Sequence, residues 1–468
     1  MPITFKELPG PKGVPFFGSL FDVEYPNLHN QFQAYADEFG EVYRMRIGIL
    51  DLTVVGHPKI IQYILKERPD GFIRMKKLDK VLRAEGVHGA FNAEGEDWKT
   101  HRKLVAKGLD IKHQEAFFDR MLISVDRLYK KWKRAADSGE AFNIQDDFMR
   151  FTTDIATSLA FGIEMNSLEE KGGSVQEHMD KIFPMLFKRI NDPIQWHKLY
   201  RNKADREFDK SLKVLDELID QWIKDGRKRL EEYPELKENP SNFLEAVLVE
   251  SENDGGFSDE EVKGNLMTVL IAGEDTTAHT LTWAIYLLTK YTDYQTKIQT
   301  EVDEQLQGET KISDFNSLSN YKFIEGVAYE TMRLKPVAPV MLFEPLSDVV
   351  VEGYEFKKGS RILMHWRHAA TKEENFSDGQ QFYPERWLKA SKCPVHNMDA
   401  YIPFGGGPRF CPGRNLAMLE MKLVLSMLFK NFEVEMVTPH EDIKEIMAFV
   451  MKASQFNVRL KHRNERNA

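Results

Sequence analysis

Ser258 and Glu261 form an S-x-x-E capping box, and about thirty residues without proline follow, to about Tyr291. The reciprocal bonds of such a box satisfy backbone donors at a helix start, so the spacing predicts one long helix. Residues 266 to 288 are the most apolar long stretch of the chain, yet Glu274, Asp275 and His279 sit in their middle. That combination predicts a buried helix of a soluble protein and excludes a membrane span. Its centre, "LIAGEDTTAHT", costs stability: glycine loses about 1 kcal/mol against alanine in a helix interior, and buried carboxylates lose more unless paired. One reading is a satisfied polar network or a kink. The other is that small Ala272 and Gly273 leave room for a ligand, toward which Asp275 and Thr276 reach.

Strand-like segments are few: residues 41 to 56, residues 349 to 366, and "FNVRLKH" near the C-terminus. Almost everything else has helical spacing. The expected fold is mainly α, with a large helical domain and a small β-sheet on the N-terminal side that residues 349 to 366 join. Residues 231 to 242 and 251 to 257 read as surface loops. No linker, repeat or low-complexity tract divides a chain that is 42 % apolar, so one domain over residues 1–468 is expected. A net charge of −9 argues against binding nucleic acid or an anionic membrane. Cys393 and Cys411 are the only cysteines. Their spacing permits a disulfide loop, but two thiols in so long a chain fit a reducing cytosol better, so a cytoplasmic location is expected. The start, "MPITFKELPGPKGVPFFGSL", is broken by prolines and glycines and offers neither a signal peptide nor a membrane anchor.

The stretch "YIPFGGGPRFCPGRNLA", residues 401 to 417, is either a phosphate cradle or a loop that presents a thiolate. A P-loop needs G-x-x-x-x-G-K-[ST]; here five residues separate Gly407 from Gly413, and Arg414-Asn415 follows. No buried strand precedes it, as a dinucleotide fingerprint requires. The metal reading fits more residues. Cys411 is followed by proline, a favoured first helical residue, and then by a helical run whose dipole favours thiolate. Glycines let backbone approach a flat ligand, and Arg409 can pair with a carboxylate on it. With no second cysteine or histidine cluster nearby, zinc is disfavoured, whereas one thiolate suffices for haem iron. A second helix, "SLSNYKFIEGVAYETMRLKP", ends at Pro336 and places Glu330 and Arg333 on one face; "FYPERW" adds Arg386.

On these motifs the chain closely resembles the cytochrome P-450 family of haem-thiolate monooxygenases, in its soluble bacterial type. The F-x-x-G-x-R-x-C-x-G signature appears as Phe404, Gly407, Arg409, Cys411 and Gly413. The A-G-x-[DE]-T-T motif appears as Ala272, Gly273, Asp275, Thr276 and Thr277. E-x-x-R appears as Glu330 and Arg333, completed by Arg386, and W-x-x-x-R as Trp98 and Arg102.

The resemblance implies a haem b cofactor ligated by Cys411, with Arg409, Arg102 and Trp98 on its propionates and Phe404, Gly413 and Ala272 also in the haem site. Asp275 and Thr276 would organise water and deliver protons to oxygen, while Glu330, Arg333 and Arg386 would be structural. Where many members carry Arg or His after the E-x-x-R helix, this chain has Phe343, and "AATK" replaces "HRDP". Only 57 residues follow Cys411, so no fused reductase is expected. Electrons would come from a ferredoxin or flavodoxin with its reductase, docking near Lys99, Lys103, Lys107 and Lys112. The implied substrate walls are residues 72 to 92, 183 to 198, 266 to 276, 337 to 343 and 447 to 453. Leu270, Val340, Phe343, Phe449 and Met451 would line them apolarly; Arg74, His88, Asp192 and Lys452 offer polar contacts. The expected reaction is O2-dependent hydroxylation or oxidative O-demethylation of a small molecule. The overall pattern is nearest to the fatty-acid-hydroxylating branches, although their carboxylate anchors correspond to Leu50 and Val54. A peroxide-driven enzyme and a haem sensor are the other readings; neither needs the Asp275/Thr276 pair.

Overall fold

The computed structural model describes residues 1–14, 16–169, 175–192, 195–253, 257–388 and 396–463. Cys393, and with it the disulfide alternative, lies outside the described residues. In chain order the first elements are α1 (Leu28–Phe39), β1 (Val42–Ile47), β2 (Leu50–Val55), α2 (Pro58–Lys66), β3 (Phe72–Arg74) and α3 (Lys76–Ala84). Next come α4 (Gly95–Gly108), α5 (Ile111–Ser138), β4 (Phe142–Asn143), α6 (Ile144–Phe161), α7 (Val175–Asn191) and α8 (Lys203–Glu232). The middle holds α9 (Phe243–Asn253), α10 (Asp259–Lys290), α11 (Asp293–Leu306) and α12 (Lys322–Leu334). After these follow β5 (Val340–Pro345), β6 (Val349–Val351), β7 (Tyr354–Phe356), β8 (Arg361–His365) and α13 (Trp366–Thr371). The chain closes with α14 (Arg414–Asn431), β9 (Phe432–Met436), β10 (Glu445–Met447), β11 (Met451–Ala453) and β12 (Asn457–His462).

Two compact units result. The first comprises Met1–Asp79, Tyr329–Cys411 and Glu445–Lys452. It is built on a five-stranded sheet of order β1-β2-β8-β5-β3, in which β2 and β8 run parallel and the other pairs antiparallel. Residues 349 to 366 thus join the sheet only through β8; β6 and β7 pair with each other. One sheet face packs Val55, Phe343, Ile362 and Met364 against Ile60, Ile61 and Ile64 of α2, whose apolar residues recur at helical spacing. The second unit comprises Lys80–Ala328, Pro412–Lys444 and Ala453–Ala468. Its centre is α10, packed mainly against α6, with a three-stranded sheet β4-β12-β9 at its margin.

Helix α10 begins where its capping box places it: Ser258 Oγ accepts from the Glu261 N–H, and the Glu261 carboxylate accepts from the Ser258 N–H at 2.8 Å. Other boundaries differ from the sequence expectation. The segment before Pro336 is not one helix, because Tyr321, at ψ 71°, separates a 3-10 turn over Phe315–Asn320 from α12. Residues 231 to 242 begin inside α8, which stops before Pro234, a residue unable to continue it. Residues 251 to 253 are the last of α9, and 254 to 256 lie outside the described residues. Helix α14 starts at Arg414 with Gly413 as its N-cap, so Pro412 precedes the helix instead of opening it.

Glu330, Arg333 and Arg386 meet in the interior of the first unit. The Glu330 carboxylate accepts from Arg333 Nε and Nη2 at 2.9 and 2.7 Å, from Arg386 Nε at 3.0 Å, and from Trp387 Nε1 at 2.9 Å. The Tyr383 N–H adds a bond at 2.9 Å. Arg333 spends its remaining donors on the carbonyls of Ala370, Gly379 and Gln381, which tie α12 to α13 and to the chain before "PERW". Burial pushes the Glu330 carboxyl up, but Arg333 and Arg386 outweigh it and hold it below its usual value. Glu330→Gln leaves two buried guanidinium groups without a counter-charge and should cost about 3–5 kcal/mol in urea unfolding. Because the folded-state pKa is depressed, this stabilisation is complete above the ordinary carboxylate pKa of 4.5 and is lost as pH falls. The variant should show a smaller loss of stability on acidification than the wild type.

Candidate functional site

The cysteine loop belongs to the first unit. The Cys411 N–H donates to the Phe404 carbonyl at 2.9 Å, closing residues 404 to 411 into a loop. Inside it, a 3-10 turn covers Gly407–Arg409, and Gly405 and Gly407 take φ of +71° and +61°, where glycine is favoured. Phe404, Arg409 and Cys411 are half-buried, while Phe410 is exposed. A Cβ on Gly407 would stand 2.1 Å from the Leu65 carbonyl oxygen of α2. Gly407 therefore answers to a backbone contact with α2, a demand separate from the close approach to a ligand that the sequence suggested for these glycines.

In the same unit, β5 carries Val340 and Phe343, and β3 carries Arg74, which is paired in register with Phe343. Phe343 is fully buried in the sheet core with the Arg68 guanidinium 4.6 Å above its ring; Val340 and Arg74 are half-buried. Met451 is fully buried, and its N–H donates to the Val337 carbonyl at 2.7 Å; Phe449 is half-buried. Of these positions, Arg74, Val340 and Phe449 keep accessible surface.

The second unit holds the polar centre of α10. Ala272 is exposed and Gly273 and Thr276 are half-buried, although the turns on both sides are buried. A Cβ on Gly273 would touch only Ala156 Cβ, at 3.5 Å. Positions 272, 273 and 276 share one helix face, so protein atoms leave that stripe uncovered. Thr276 Oγ1 donates to the Ala272 carbonyl at 2.9 Å. The buried carboxyl groups turn elsewhere. Glu274 is buried beside Gln176 and Thr153 with its Oε1 unpartnered; burial, and then the Asp275 charge, push its carboxyl well above the usual range, which favours the neutral form. Glu420 of α14, buried beside Thr277, is raised by burial in the same way. Asp275 lies on the His279 side, Oδ1 to Nε2 3.4 Å, and His279 Nδ1 stands 3.3 Å from Gln145 Nε2 of α6. The sequence marks Glu274 and His279 as buried polar residues; the i,i+4 spacing of Asp275 and His279 is the signal that pairs them.

On α4 of this unit, Trp98 is buried and Arg102, one turn on, is half-buried. Beside them His88, Asp97 and His101 bring three potential ligand atoms within 4.8 Å of one another. Hydrogen bonding decides against a metal there. Asn265 Oδ1 accepts from the Ala90 N–H at 3.1 Å, which aims Nδ2 at His101 Nδ1, 2.7 Å away. His101 then carries its proton on Nε2, which lies 3.3 Å from Asp97 Oδ1 without making a hydrogen bond, and a protonated nitrogen offers no lone pair to a metal. His88 Nε2 and Arg83 approach the other Asp97 oxygen at 3.1 and 3.0 Å. His88 is thus engaged by Asp97. Lys99 pairs with Glu96 at 2.5 Å, and Lys103 and Lys107 both pair with Glu250 of α9.

Among the described residues the only such group of three is His88, Asp97 and His101, and Cys411 is not in it. A single soft sulfur donor such as Cys411 suits haem, which brings four ligands of its own. No helix among the described residues is long and apolar enough to cross a membrane.

The cytochrome P450 family model matches residues 8–460. Cytochrome P450 27C1 of Danio rerio is 26% identical over 452 residues, which cover 92% of this chain and 82% of that protein. The bifunctional cytochrome P450/NADPH–P450 reductase 2 of Bacillus subtilis (strain 168) is 28% identical over 97% of this chain; the match spans 42% of that longer protein. The crystal structure of the cytochrome P450DA heme domain superposes with a TM-score of 0.86 over 99% of both chains at 21% identity, a likeness of fold. Gly407→Ala should strain the cysteine loop through both its φ and the Leu65 contact. A lower haem content per chain, read by absorbance, and a melting temperature depressed by several degrees are expected.

Proposed function

Because the chain belongs to the cytochrome P450 family, haem-thiolate monooxygenases that draw electrons from an external donor, we propose that Cys411 ligates the iron and that Asp275 and Thr276 handle protons during oxygenation of a small organic substrate. The observation that carries this is the uncovered Ala272–Gly273–Thr276 stripe in an otherwise buried helix, flanked by a carboxyl group and a hydroxyl. When bound, haem b supplies the iron chemistry that splits O2 and places one oxygen atom in the substrate.

The chain's residues have separate tasks. Cys411 is the thiolate donor, on a loop shaped by Gly405 and Gly407. Arg409, Arg102 and Trp98 hold the propionates, and Phe404, Gly413 and Ala272 border the ring. Thr276 gives its hydroxyl proton to the Ala272 carbonyl, so its oxygen keeps lone pairs to hold water. Asp275 supplies protons, beside a Glu274 whose carboxyl burial raises toward the neutral form.

The reaction is hydroxylation or oxidative O-demethylation, with Leu270, Val340 and Phe449 as apolar contacts and Arg74 as a polar one. His88 is a weaker choice because Asp97 holds it. Phe343 and Met451 act through packing, since both are fully buried. A fatty-acid carboxylate lacks an anchor on the first strand pair, where Leu50 is exposed and Val54 buried. Electrons come from a small acidic ferredoxin or flavodoxin with its reductase. Lys99, Lys103 and Lys107 on α4 and Lys112 at the start of α5 make a basic face that favours such a donor.

Cys411→Ser should abolish the thiolate-type absorption of the reduced, CO-bound protein. A wild type lacking that band refutes the ligand assignment. Thr276→Ala should lower product per electron by roughly 10–100-fold while electron uptake continues; unchanged coupling refutes the relay. A substrate-induced spin-shift screen over fatty acids, terpenoids, aromatic ethers and methylated sugars identifies the substrate class. Reversing Lys103 and Lys107 to Glu should slow reduction and flatten its salt dependence; unchanged kinetics remove this face as the docking site.

A further inference from the structure

We propose that His279 is a positioning residue that holds Asp275 in place for proton delivery, an inference that rests on the role given to Asp275 above. Both side chains lie on one face of α10, four residues apart, and both are buried, with relative exposures of 7% for Asp275 and 3% for His279. The 3.4 Å approach of Asp275 Oδ1 to His279 Nε2 needs a proton on that nitrogen to be attractive. Gln145 complements it. Its Nε2 lies 3.3 Å from His279 Nδ1 while its Oε1 has no hydrogen-bond partner, so the Asp275 carboxylate selects the ring protonated on Nε2 and the amide turns its donor to Nδ1. Gln145 is itself fixed at the start of α6, where the Asn143 side chain caps its backbone N–H at 3.0 Å.

The neighbouring carboxyl groups do not compete for this donor. Glu274 lies beside Gln176 and Thr153, and Glu420 beside Thr277, and neither carboxyl group is paired with His279. Asp275 therefore keeps one oxygen on His279 while the other is left for the proton it moves. A buried imidazole is costly unless its nitrogens are paired, and here Gln145 and Asp275 take one each. Removing the ring should let the Asp275 carboxyl rotate, which weakens proton delivery without touching the cysteine loop.

The test uses the haem-loaded, reduced and CO-bound protein, which is diamagnetic, labelled with 15N-histidine. The wild-type His279 spectrum should show an unprotonated Nδ1 and a protonated Nε2. Asp275→Asn should shift the Nε2 signal, and Gln145→Leu should alter the tautomer balance. A wild-type ring protonated on Nδ1 overturns the proposal, and this readout needs no variant to fold. In turnover, His279→Phe should lower product per O2 consumed by about 5–10-fold with haem content retained. His279→Gln, whose amide can donate to Asp275, should recover most of it. If Asp275→Asn loses coupling while His279→Phe keeps it, the positioning role is wrong and the relay stands. If Asp275→Asn itself keeps wild-type coupling, the relay falls, and the His279 role falls with it.

Discussion

A carboxyl group taken out of water must be paired with a cation, protonated, or surrounded by donors, and this protein uses the first two answers in different places. Glu330 is paired: two guanidinium groups and an indole N–H converge on it, and the pairing keeps it ionised in the interior. Because Arg333 and Arg386 spend their other donors on main-chain carbonyls, the charge of one side chain fixes the path of the chain before the cysteine loop. Glu274 and Glu420 have no such cation beside them, and burial raises their carboxyl groups toward the neutral form instead. Asp275, between those two in sequence setting, faces a histidine.

These differences explain why one helix can be both scaffold and site. Along α10 the apolar residues pack on α6, and the polar ones divide by direction: Glu274 toward α6 and α7, Thr277 toward α14, Asp275 toward His279. What remains is the stripe at 272, 273 and 276, made of residues too small to fill it. A larger side chain at Gly273 would gain little packing, since Ala156 Cβ is the one heavy atom within 4 Å of a Cβ placed there. The cost of glycine inside a helix, about 1 kcal/mol, is thus not repaid locally, which is the pattern expected of a position kept small for a ligand.

What could be read from the sequence follows the range of the interaction. The start of α10 and the Glu330–Arg333 pair depend on spacings of three residues, and both are legible. Arg386 is 56 residues from Glu330, and only the resemblance placed it there. The Asn265 amide that fixes the His101 tautomer, and the Leu65 carbonyl that demands glycine at 407, are contacts of distant segments and leave no periodic trace. Strands β3, β10 and β11 are three residues long, too short for alternation to register. The start of α14 was misplaced by two residues because proline is a good first helical residue, but here glycine takes the cap.

The threonines of α10 sharpen the division of tasks at the proposed site. Thr268, Thr276, Thr280, Thr282 and Thr289 each donate their hydroxyl to the carbonyl four residues earlier, at 2.8 to 2.9 Å. This back-bonding satisfies the hydroxyls inside an apolar helix and bends it slightly. It also commits the single proton each hydroxyl has. Thr276 in this state is an acceptor toward anything in front of it and cannot be the source of a proton unless another donor replaces the one it gives away. The carboxyl group of Asp275 can take up a proton and pass it on, and has a neighbouring imidazole to hold it in place. Under the proposed reading the hydroxyl therefore positions water and the carboxyl supplies the proton, so losing Thr276 and losing Asp275 are failures of different kinds: one misplaces the acceptor, the other empties the source.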